Sequence, residues 1–284
     1  MLGTGTINVP NSHPANVAAQ AAMMDHLLQG RFIMGVSPGG LMSDAEVFGN
    51  FDKDRNAMFV EGINTVLKIW ESEPPYNIKG DYWNISVEKT MATEIGQGFI
   101  MKPFQKPHPL IVGTAVAPFS KGVTEMAKRG WQPISAPFLL PEWVKTHWPK
   151  YVEGREAVGA VAHPDEWRVA KSIFVADDEA TARRYALEEG GPYHFYFKQL
   201  VRKLVGGGGR GNLFKLDQNM PDSEITIDYV TKRLVIAGTV DSVVDQILAF
   251  RDVIGDFGQL LYACHDWMDP KLARRSMELF ATEV

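Results

Sequence analysis

The sequence alternates short apolar runs with longer amphipathic segments, and this alternation limits the possible folds more than any other feature. Six runs have the composition of strands, at residues 2–9, 31–37, 110–115, 131–136, 167–176 and 258–264. Eight segments carry apolar residues at helical spacing, at residues 16–29, 55–70, 120–129, 141–157, 178–189, 193–204, 239–254 and 270–282. Strands that alternate with helices form a parallel sheet covered by those helices. The sequence therefore predicts an α/β fold.

Two stretches interrupt the alternation. Residues 71–86 contain a turn begun by proline and then short β-forming runs, which predicts a small hairpin. Residues 205–224 contain four consecutive glycines near their start. A structureless insertion of that length is typical of a lid or a disordered loop. Because neither stretch resembles a domain linker, we predict a single domain over residues 1–284 with a lid loop at about 205–224.

Composition makes several classes of partner improbable. The chain has 29 Lys and Arg against 34 Asp and Glu, a formal net charge of −5, and no basic run that could follow a nucleic-acid backbone. No apolar run reaches the roughly 20 residues of a membrane span, and no signal peptide is evident. The lone Cys264 cannot form an internal disulfide. We therefore predict a cytoplasmic protein without nucleic-acid or membrane partners.

The glycine-rich segment 35-GVSPGG-40 follows a predicted strand, as a phosphate-binding loop would. Its spacing matches neither G-x-G-x-x-G nor G-x-x-x-x-G-K-[ST], so a nucleotide triphosphate loop is excluded. Two interpretations remain. The segment is a plain turn between strand and helix, or Ser37 lies at the carboxyl end of a barrel strand and faces an active-site mouth.

Two histidines follow predicted strands and are the candidate catalytic residues. His13 lies in a turn rich in Pro and Asn, where it serves either as a surface or capping residue or as a catalyst at the mouth of a barrel. His265 precedes Asp266 and Trp267, which suggests an acid/base pair beside a stacking ring. The alternative is a turn before the last helix, since adjacent strand residues point to opposite sides.

Ser120 stands at the start of a predicted helix. Its hydroxyl could cap the helix by accepting from a backbone amide of the first turn. The same helix terminus, with Lys121 beside it, could instead bind an anion through free amides and the helix dipole. No H-x-x-x-H or C-x-x-C motif occurs, so no metal site is predicted.

Taken in order, these segments resemble the bacterial luciferase-like flavin monooxygenases, of the class that includes limonene and alkanal monooxygenases. Residues 3–40 are similar to the third strand of that family, the next helix and the fourth strand, including Pro-x-x-His-Pro and Asp-x-x-x-x-Gly-Arg-Phe-x-x-Gly, with Met24 in place of a leucine. Further matches are 48–49, 118–135, the glycine-rich insertion where the family has a mobile lid, and 237–247. The resemblance implies a TIM (β/α)8-type barrel, with the six predicted strands as its third to eighth.

The resemblance also implies a flavin-dependent monooxygenase. Reduced FMN, supplied by a separate flavin reductase, would react with O₂ to a C4a-hydroperoxyflavin that oxygenates a small apolar substrate, in a homo- or heterodimer. Gly5 and Thr6 correspond to a strand-end pair, often joined by a non-prolyl cis peptide, that packs beside the isoalloxazine. Ser37 falls where luciferase has a reactive cysteine near the flavin. The glycine-rich segment would then be a turn on the flavin side.

Two further residues are predicted cofactor contacts from the same resemblance. Ser120 and its helix N-terminus fall in the phosphate-binding segment, and Ser135 ends the matched segment 118–135. Pro38 stands where luciferase has an arginine that contacts the phosphate. Phosphate binding here would therefore depend on the helix terminus or on other residues.

Two departures from the family keep other interpretations open. The first two strands of the barrel and a catalytic histidine beyond the second have no counterpart, which suggests that the sequence begins late in a longer protein or that the open edge is covered in another way. The alternative functions are a deazaflavin-dependent oxidoreductase on the same barrel, and a non-catalytic flavin-binding or dimer-partner subunit.

Overall fold

The computed structural model describes residues 1–265 and 268–284, and the chain divides into two compact units, residues 1–114 and 115–284. In both units, strands that pair in parallel alternate with helices, so the predicted α/β class is confirmed. The single domain over residues 1–284 stays a prediction. Among the described residues, no helix is long and apolar enough to cross a membrane.

The first unit is built around a parallel sheet. Its strands are β1 (Leu2–Gly3), β2 (Ile7–Asn8), β3 (Phe32–Ser37) and β6 (Leu110–Ala115), and its helices are α1 (Pro14–Leu27), α2 (Met42–Val47) and α3 (Arg55–Glu71). β3 pairs in parallel with β1, β2 and β6. α1 begins earlier than predicted because its first residue is a proline, which suits the first helical position. The short helix α2 was missed from the sequence.

The predicted continuous strand 2–9 is wrong in its middle, where a side chain replaces strand pairing. Thr4 Oγ1 lies 2.9 Å from both the carbonyl oxygen and the amide nitrogen of Gly35, donating to the first and accepting from the second. A Cβ at Gly35 would lie only 2.3 Å from the Thr4 carbonyl oxygen. Glycine at position 35 therefore lets the two backbones approach, and the strand is split into β1 and β2.

The hairpin predicted within residues 71–86 is confirmed and is pinned to α3. It consists of β4 (Asn77–Lys79) and β5 (Asn84–Ser86), which pair antiparallel. The Glu61 carboxylate accepts from the backbone amides of Asp81, Tyr82 and Trp83 at 2.8 to 2.9 Å. Three bonds to an ionised acceptor hold the turn in place, because charge-assisted bonds are stronger than neutral ones.

The second unit has a buried strand at its centre. Its strands are β7 (Gln132–Ser135), β8 (Arg168–Val175), β9 (Val235–Gly238) and β10 (Gln259–Ala263). Its helices are α4 (Lys121–Lys128), α5 (Pro141–Lys145), α6 (His147–Glu156), α7 (Glu179–Ala186), α8 (Pro192–Val201), α9 (Ile227–Leu234), α10 (Val240–Ile254) and α11 (Pro270–Thr282). Every residue of β8 is buried, and it pairs in parallel with β7, β9 and β10.

Two corrections to the predicted elements have local causes. The predicted helix 141–157 is two helices, α5 and α6, which meet at Thr146. Pro149 has no amide proton and is tolerated only in the first turn of a helix, so a new helix must start just before it. β9 and α9 were missed because the apolar run 234-LVIAG-238 continues the helical segment without a turn signal.

The glycine-rich loop 205–224 contains short helical turns. A π-helical turn at Arg202–Gly206 and 3-10 turns at Gly211–Leu213 and Asp222–Glu224 shape it. Leu213 and Phe214 are buried in the core of the second unit. Lys215 Nζ donates to the Met220 carbonyl at 2.6 Å and to Asp222 Oδ1 at 2.7 Å. The role of the loop as a lid stays a prediction.

Candidate functional site

Three polar side chains form a cluster where β2 and β3 end. Ser37 Oγ lies 2.7 Å from Asn8 Oδ1 and 3.0 Å from Thr6 Oγ1. The parallel register places Asn8 beside Ser37, and Thr6 shares the face of Asn8 because side chains alternate along an extended chain. The structure thus brings together Thr6 and Ser37, two of the predicted cofactor contacts. Asn8 was missed, although its position two residues after Thr6 was a signal for it.

Gly5 lies beside this cluster and leaves open space. An added Cβ at Gly5 would meet no atom within 4 Å, and the residue is exposed. In the described part of the chain, the cis peptides are Pro74–Pro75 and Lys106–Pro107. The peptide between Gly5 and Thr6 is therefore trans, and the cis geometry implied by the family resemblance is wrong for this chain.

His13 lies at the N-cap position of α1 but makes no side-chain capping bond, so its interpretation as a capping residue is wrong. The side chain is exposed and lines two clefts of the first unit, of about 270 Å³ and about 320 Å³. A catalytic role for His13 stays a prediction.

His265 is buried among aromatic rings. Its ring stacks on Tyr196, with centroids 3.8 Å apart and planes 14° from parallel, and its Nε2 lies 2.8 Å from Ser172 Oγ. Burial lowers the pKa of His265 to about 4. The imidazole is therefore neutral at pH 7, and a catalytic role for His265 stays a prediction. The predicted pairing with Asp266 and the stacking of Trp267 lie outside the described residues.

Ser120 immediately precedes α4, but its hydroxyl makes no capping bond, so the capping interpretation is wrong. The hydroxyl is partly exposed and remains available to a ligand at the helix terminus. The preceding residue, Phe119, has a φ of 50° and donates its amide to Thr146 Oγ1 at 2.8 Å. The bend before α4 is thus held by the junction of α5 and α6. The anion-site interpretation of Ser120 stays a prediction.

Ser135 belongs to a chain of buried hydrogen bonds. Trp167 Nε1 donates to Ser135 Oγ at 2.9 Å, Ser135 Oγ lies 2.8 Å from His147 Nδ1, and His147 Nε2 lies 2.8 Å from the Ala117 carbonyl oxygen. Because a carbonyl oxygen only accepts, Nε2 carries the imidazole proton and Nδ1 accepts the Ser135 proton. All bonds of the chain then run in one direction, from Trp167 to Ala117.

This series of hydrogen bonds holds the segment 116–120 in place. Ser135 and His147 are both 0% exposed, and burial lowers the pKa of His147, with partial opposition from its bond to Ala117. His147 was missed from the sequence, where a single histidine at a helix start carries no recognisable signal. Arg210 of the glycine-rich loop donates to the neighbouring Val116 carbonyl at 3.2 Å. The loop and the imidazole therefore hold adjacent carbonyls of one segment.

No group of three or more His, Cys, Asp or Glu side chains in residues 1–265 and 268–284 is arranged to hold a metal ion.

Comparison with known proteins identifies relatives that cover almost all of the chain. The model of the luciferase-like monooxygenase family matches residues 1–256. The 4-hydroxyprotoasukamycin monooxygenase of Streptomyces nodosus subsp. asukaensis is 26% identical over an alignment of 289 positions, which covers 100% of this chain and 72% of that protein. A putative coenzyme F420-dependent oxidoreductase of Mycobacterium tuberculosis is 25% identical over 267 residues, 87% of this chain and 74% of the relative.

A solved structure shows the same fold. The oxygenating constituent of 3,6-diketocamphane monooxygenase from Pseudomonas putida, a type II Baeyer-Villiger monooxygenase in complex with FMN, matches with a TM-score of 0.85 and 24% identity. The match covers 99% of this chain and 78% of that structure. The fold agrees with the predicted barrel-type α/β class. The chain belongs to the luciferase-like monooxygenase family and is an oxidoreductase of that family.

Proposed function

We propose that the chain is a flavin-dependent monooxygenase that uses reduced FMN and O₂ to oxygenate a small apolar organic substrate. The observation that carries the proposal is the family match over residues 1–256, together with a hydroxyl cluster at the strand ends, where the resemblance to the family predicts the cofactor. Reduced flavin would supply the two electrons that activate O₂. The chain itself would bind and orient the cofactor and exclude water.

We assign the flavin ring to the cluster of Thr6, Asn8 and Ser37. The cluster offers hydroxyls and an amide, which suit the carbonyl and nitrogen edge of an isoalloxazine. The absence of a side chain at Gly5 leaves room for a flat ring to approach the backbone. These residues therefore fit the group that the family uses.

We assign the phosphate to the N-terminus of α4. The free hydroxyl of Ser120 and the first amides of the helix suit an anion, because the amides point outward and the helix dipole is positive there. Lys121 adds a positive charge next to this terminus. With Pro38 in place of the luciferase arginine, the helix terminus is the main phosphate contact in this proposal.

We propose an indirect role for Ser135. Its hydroxyl is fully buried, donates to His147 and accepts from Trp167, so it is not accessible to a cofactor in this conformation. It acts instead through His147 on the Ala117 carbonyl and hence on the bend before Ser120.

The proposal implies a second protein. The Pseudomonas relative is described as an oxygenating constituent, which is consistent with flavin reduction on a separate reductase. We further propose that the chain functions in a homo- or heterodimer.

The test is the oxygen reaction of the purified chain with reduced FMN. We expect stopped-flow absorbance to show delayed return of the oxidised flavin spectrum, relative to free reduced FMN. Addition of a productive apolar substrate should lower the yield of hydrogen peroxide and give an oxygenated product by mass spectrometry. If flavin reoxidation is as fast as in free solution and peroxide yield is stoichiometric with every substrate, the monooxygenase proposal fails.

A deazaflavin-dependent oxidoreductase is the second candidate, favoured by the Mycobacterium relative. It predicts that reduced F420 binds, that its oxidation requires an organic acceptor, and that O₂ is not consumed. An oxygen electrode distinguishes the two candidates directly.

A further inference from the structure

Two clefts of the first unit share the side chain of His13 and one arm of the hairpin. The polar cleft, of about 270 Å³, is lined by Asn11, His13, Asn50, Lys53, Tyr82 and Trp83 among others. The apolar cleft, of about 320 Å³, is lined by His13, Tyr76, Ile85, Val87, Phe99 and Ile100 among others. The hairpin residues 82–87 line first the polar and then the apolar cleft. A ligand could therefore extend past His13 from one into the other.

The polar cleft has the groups that recognise an anion. Lys53 Nζ lies 3.3 Å from Asn50 Oδ1, which occupies one of its three donors. Asn50 is only 4% exposed and donates to the Pro10 carbonyl at 2.8 Å, so its orientation is fixed before any ligand arrives. No carboxylate lines either cleft within the described residues. Asp54, next to Lys53, has its carboxylate bound to the first amides of α3.

The apolar cleft has the groups that accept a hydrocarbon body. Ile85, Val87 and Ile100 give aliphatic walls, and Tyr76 and Phe99 give aromatic ones. The three bonds from the hairpin turn to Glu61 hold the shared wall in place. Each cleft volume is near the lower end of the roughly 300–1,000 Å³ range of small-molecule sites. One cleft therefore suits a head group and the other a ring-sized body.

We propose that these two clefts form a binding site for a small organic carboxylate with an apolar, ring-sized body. The carboxylate bonds to Lys53 in the polar cleft, the connecting atoms pass His13, and the body lies against Ile85 and Phe99. Binding requires neither flavin nor oxygen. The binding site can therefore be tested independently of the proposed monooxygenase activity.

The test is isothermal titration calorimetry of the chain, without cofactor, with three probes. The probes are 3-phenylpropanoate, its neutral amide of the same shape, and acetate, which has the head group alone. We expect saturable binding of 3-phenylpropanoate, with the amide and acetate each at least about tenfold weaker, because one lacks the charge and the other the apolar body. Equal binding of the acid and the amide would overturn the anion site. Absence of saturable acid binding up to about 10 mM, the limit of weak but specific affinity, would overturn the site altogether.

Three variants separate the contacts. Lys53→Met should weaken 3-phenylpropanoate about tenfold while leaving the amide unchanged. Phe99→Ala should weaken both the acid and the amide and leave acetate unchanged. Lys79→Met is the matched control. Lys79 is an exposed lysine on β4 of the hairpin and lines neither cleft. Circular dichroism establishes that each variant is folded. An equal loss of acid binding in Lys53→Met and Lys79→Met would mean a general charge effect and would refute the proposal.

Discussion

At the scale of single residues, side chains satisfy backbone and buried polar groups where regular pairing stops. Thr4 bonds both backbone groups of Gly35 at the break between β1 and β2. Ser135 satisfies the Trp167 indole and the His147 imidazole with one hydroxyl. Buried donors and acceptors without partners are unfavourable by about 1–3 kcal/mol each. These small polar side chains therefore contribute to stability as well as to the placement of the candidate site.

Gly35→Ala tests the close approach of Thr4. The new Cβ would lie 2.3 Å from the Thr4 carbonyl oxygen, a backbone atom that cannot move without displacing β1. We expect the free energy of unfolding to fall by about 2 kcal/mol or more, as is typical of overpacking. Urea denaturation measures it. Gly5→Ala is the control, because its Cβ meets no atom within 4 Å, and it should unfold like the original chain.

Ser135→Ala tests the buried hydrogen-bond chain. The substitution leaves the Trp167 indole without its acceptor and His147 Nδ1 without its donor. The free energy of unfolding should fall by about 1–3 kcal/mol. Ser120→Ala is the comparison, since Ser120 makes no capping bond and its loss should change stability by less than about 0.5 kcal/mol. Equal stability of the two variants would refute the assigned role of Ser135.

At the scale of elements, α4 and α6 pack closely against each other in the second unit. A Cβ at Gly154 would lie 2.3 Å from the Thr124 carbonyl oxygen and 2.6 Å from Ala127 Cβ. The helices approach closely because both present small groups at the crossing. α6 also starts with His147, so this contact helps to position the imidazole against the Ala117 carbonyl, in the bend before α4.

Gly154→Ala should force α4 and α6 apart. We expect a loss of about 1–3 kcal/mol in the free energy of unfolding, despite the better helix propensity of alanine. Gly122→Ala is the matched control within α4, where the new Cβ meets only Ser120 Oγ at 3.4 Å. That variant should be as stable as the original chain or slightly more so. Thermal melts followed by circular dichroism measure both, and a stable Gly154→Ala would contradict the described packing.

The elements that the sequence predicted are those with a local signal. The core strands β3 and β8 are apolar runs, and α3 and α10 have clear helical spacing, so their positions follow from composition. The interruption at Thr4 depends on a partner 31 residues away, which no local pattern encodes. β9 was hidden because it directly continues an apolar helix.

The candidate site was predicted only in part, for a similar reason. Ser37 ends a strand and Ser120 precedes a helix, which marks such positions in α/β proteins, whereas Thr6 was predicted from the family resemblance alone. The bond between Ser135 and His147 joins two elements and has no sequence signature. The two clefts beside His13 depend on the hairpin packing on α3, which is equally non-local.

At the scale of the whole molecule, buried histidines link stability to pH. His265 has its pKa lowered to about 4 by burial, and burial also lowers the pKa of His147. Both residues are neutral in the folded chain at neutral pH, whereas in the unfolded chain each would take up a proton near the ordinary histidine pKa of about 6.5.

Stability should therefore fall as the pH drops below about 6.5 and should stop falling from this cause near pH 4, because the unfolded state binds more protons throughout that range. For His265 alone the expected loss is about 3 kcal/mol. Urea denaturation between pH 7.5 and pH 4.5 measures the slope of the free energy of unfolding against pH. His265→Phe, which keeps an aromatic ring against Tyr196, should flatten it. An unchanged slope in the variant would contradict the assignment.

The central claim is that this member of the luciferase-like family binds reduced FMN. The most direct measurement is an anaerobic fluorescence titration of the purified chain with reduced FMN, with reduced F420 in parallel. The account predicts saturable, stoichiometric binding of reduced FMN, at least about tenfold tighter than that of reduced F420, and weaker in Ser37→Ala and Ser120→Ala. Absence of saturable binding of reduced FMN, or tighter binding of reduced F420, would contradict it.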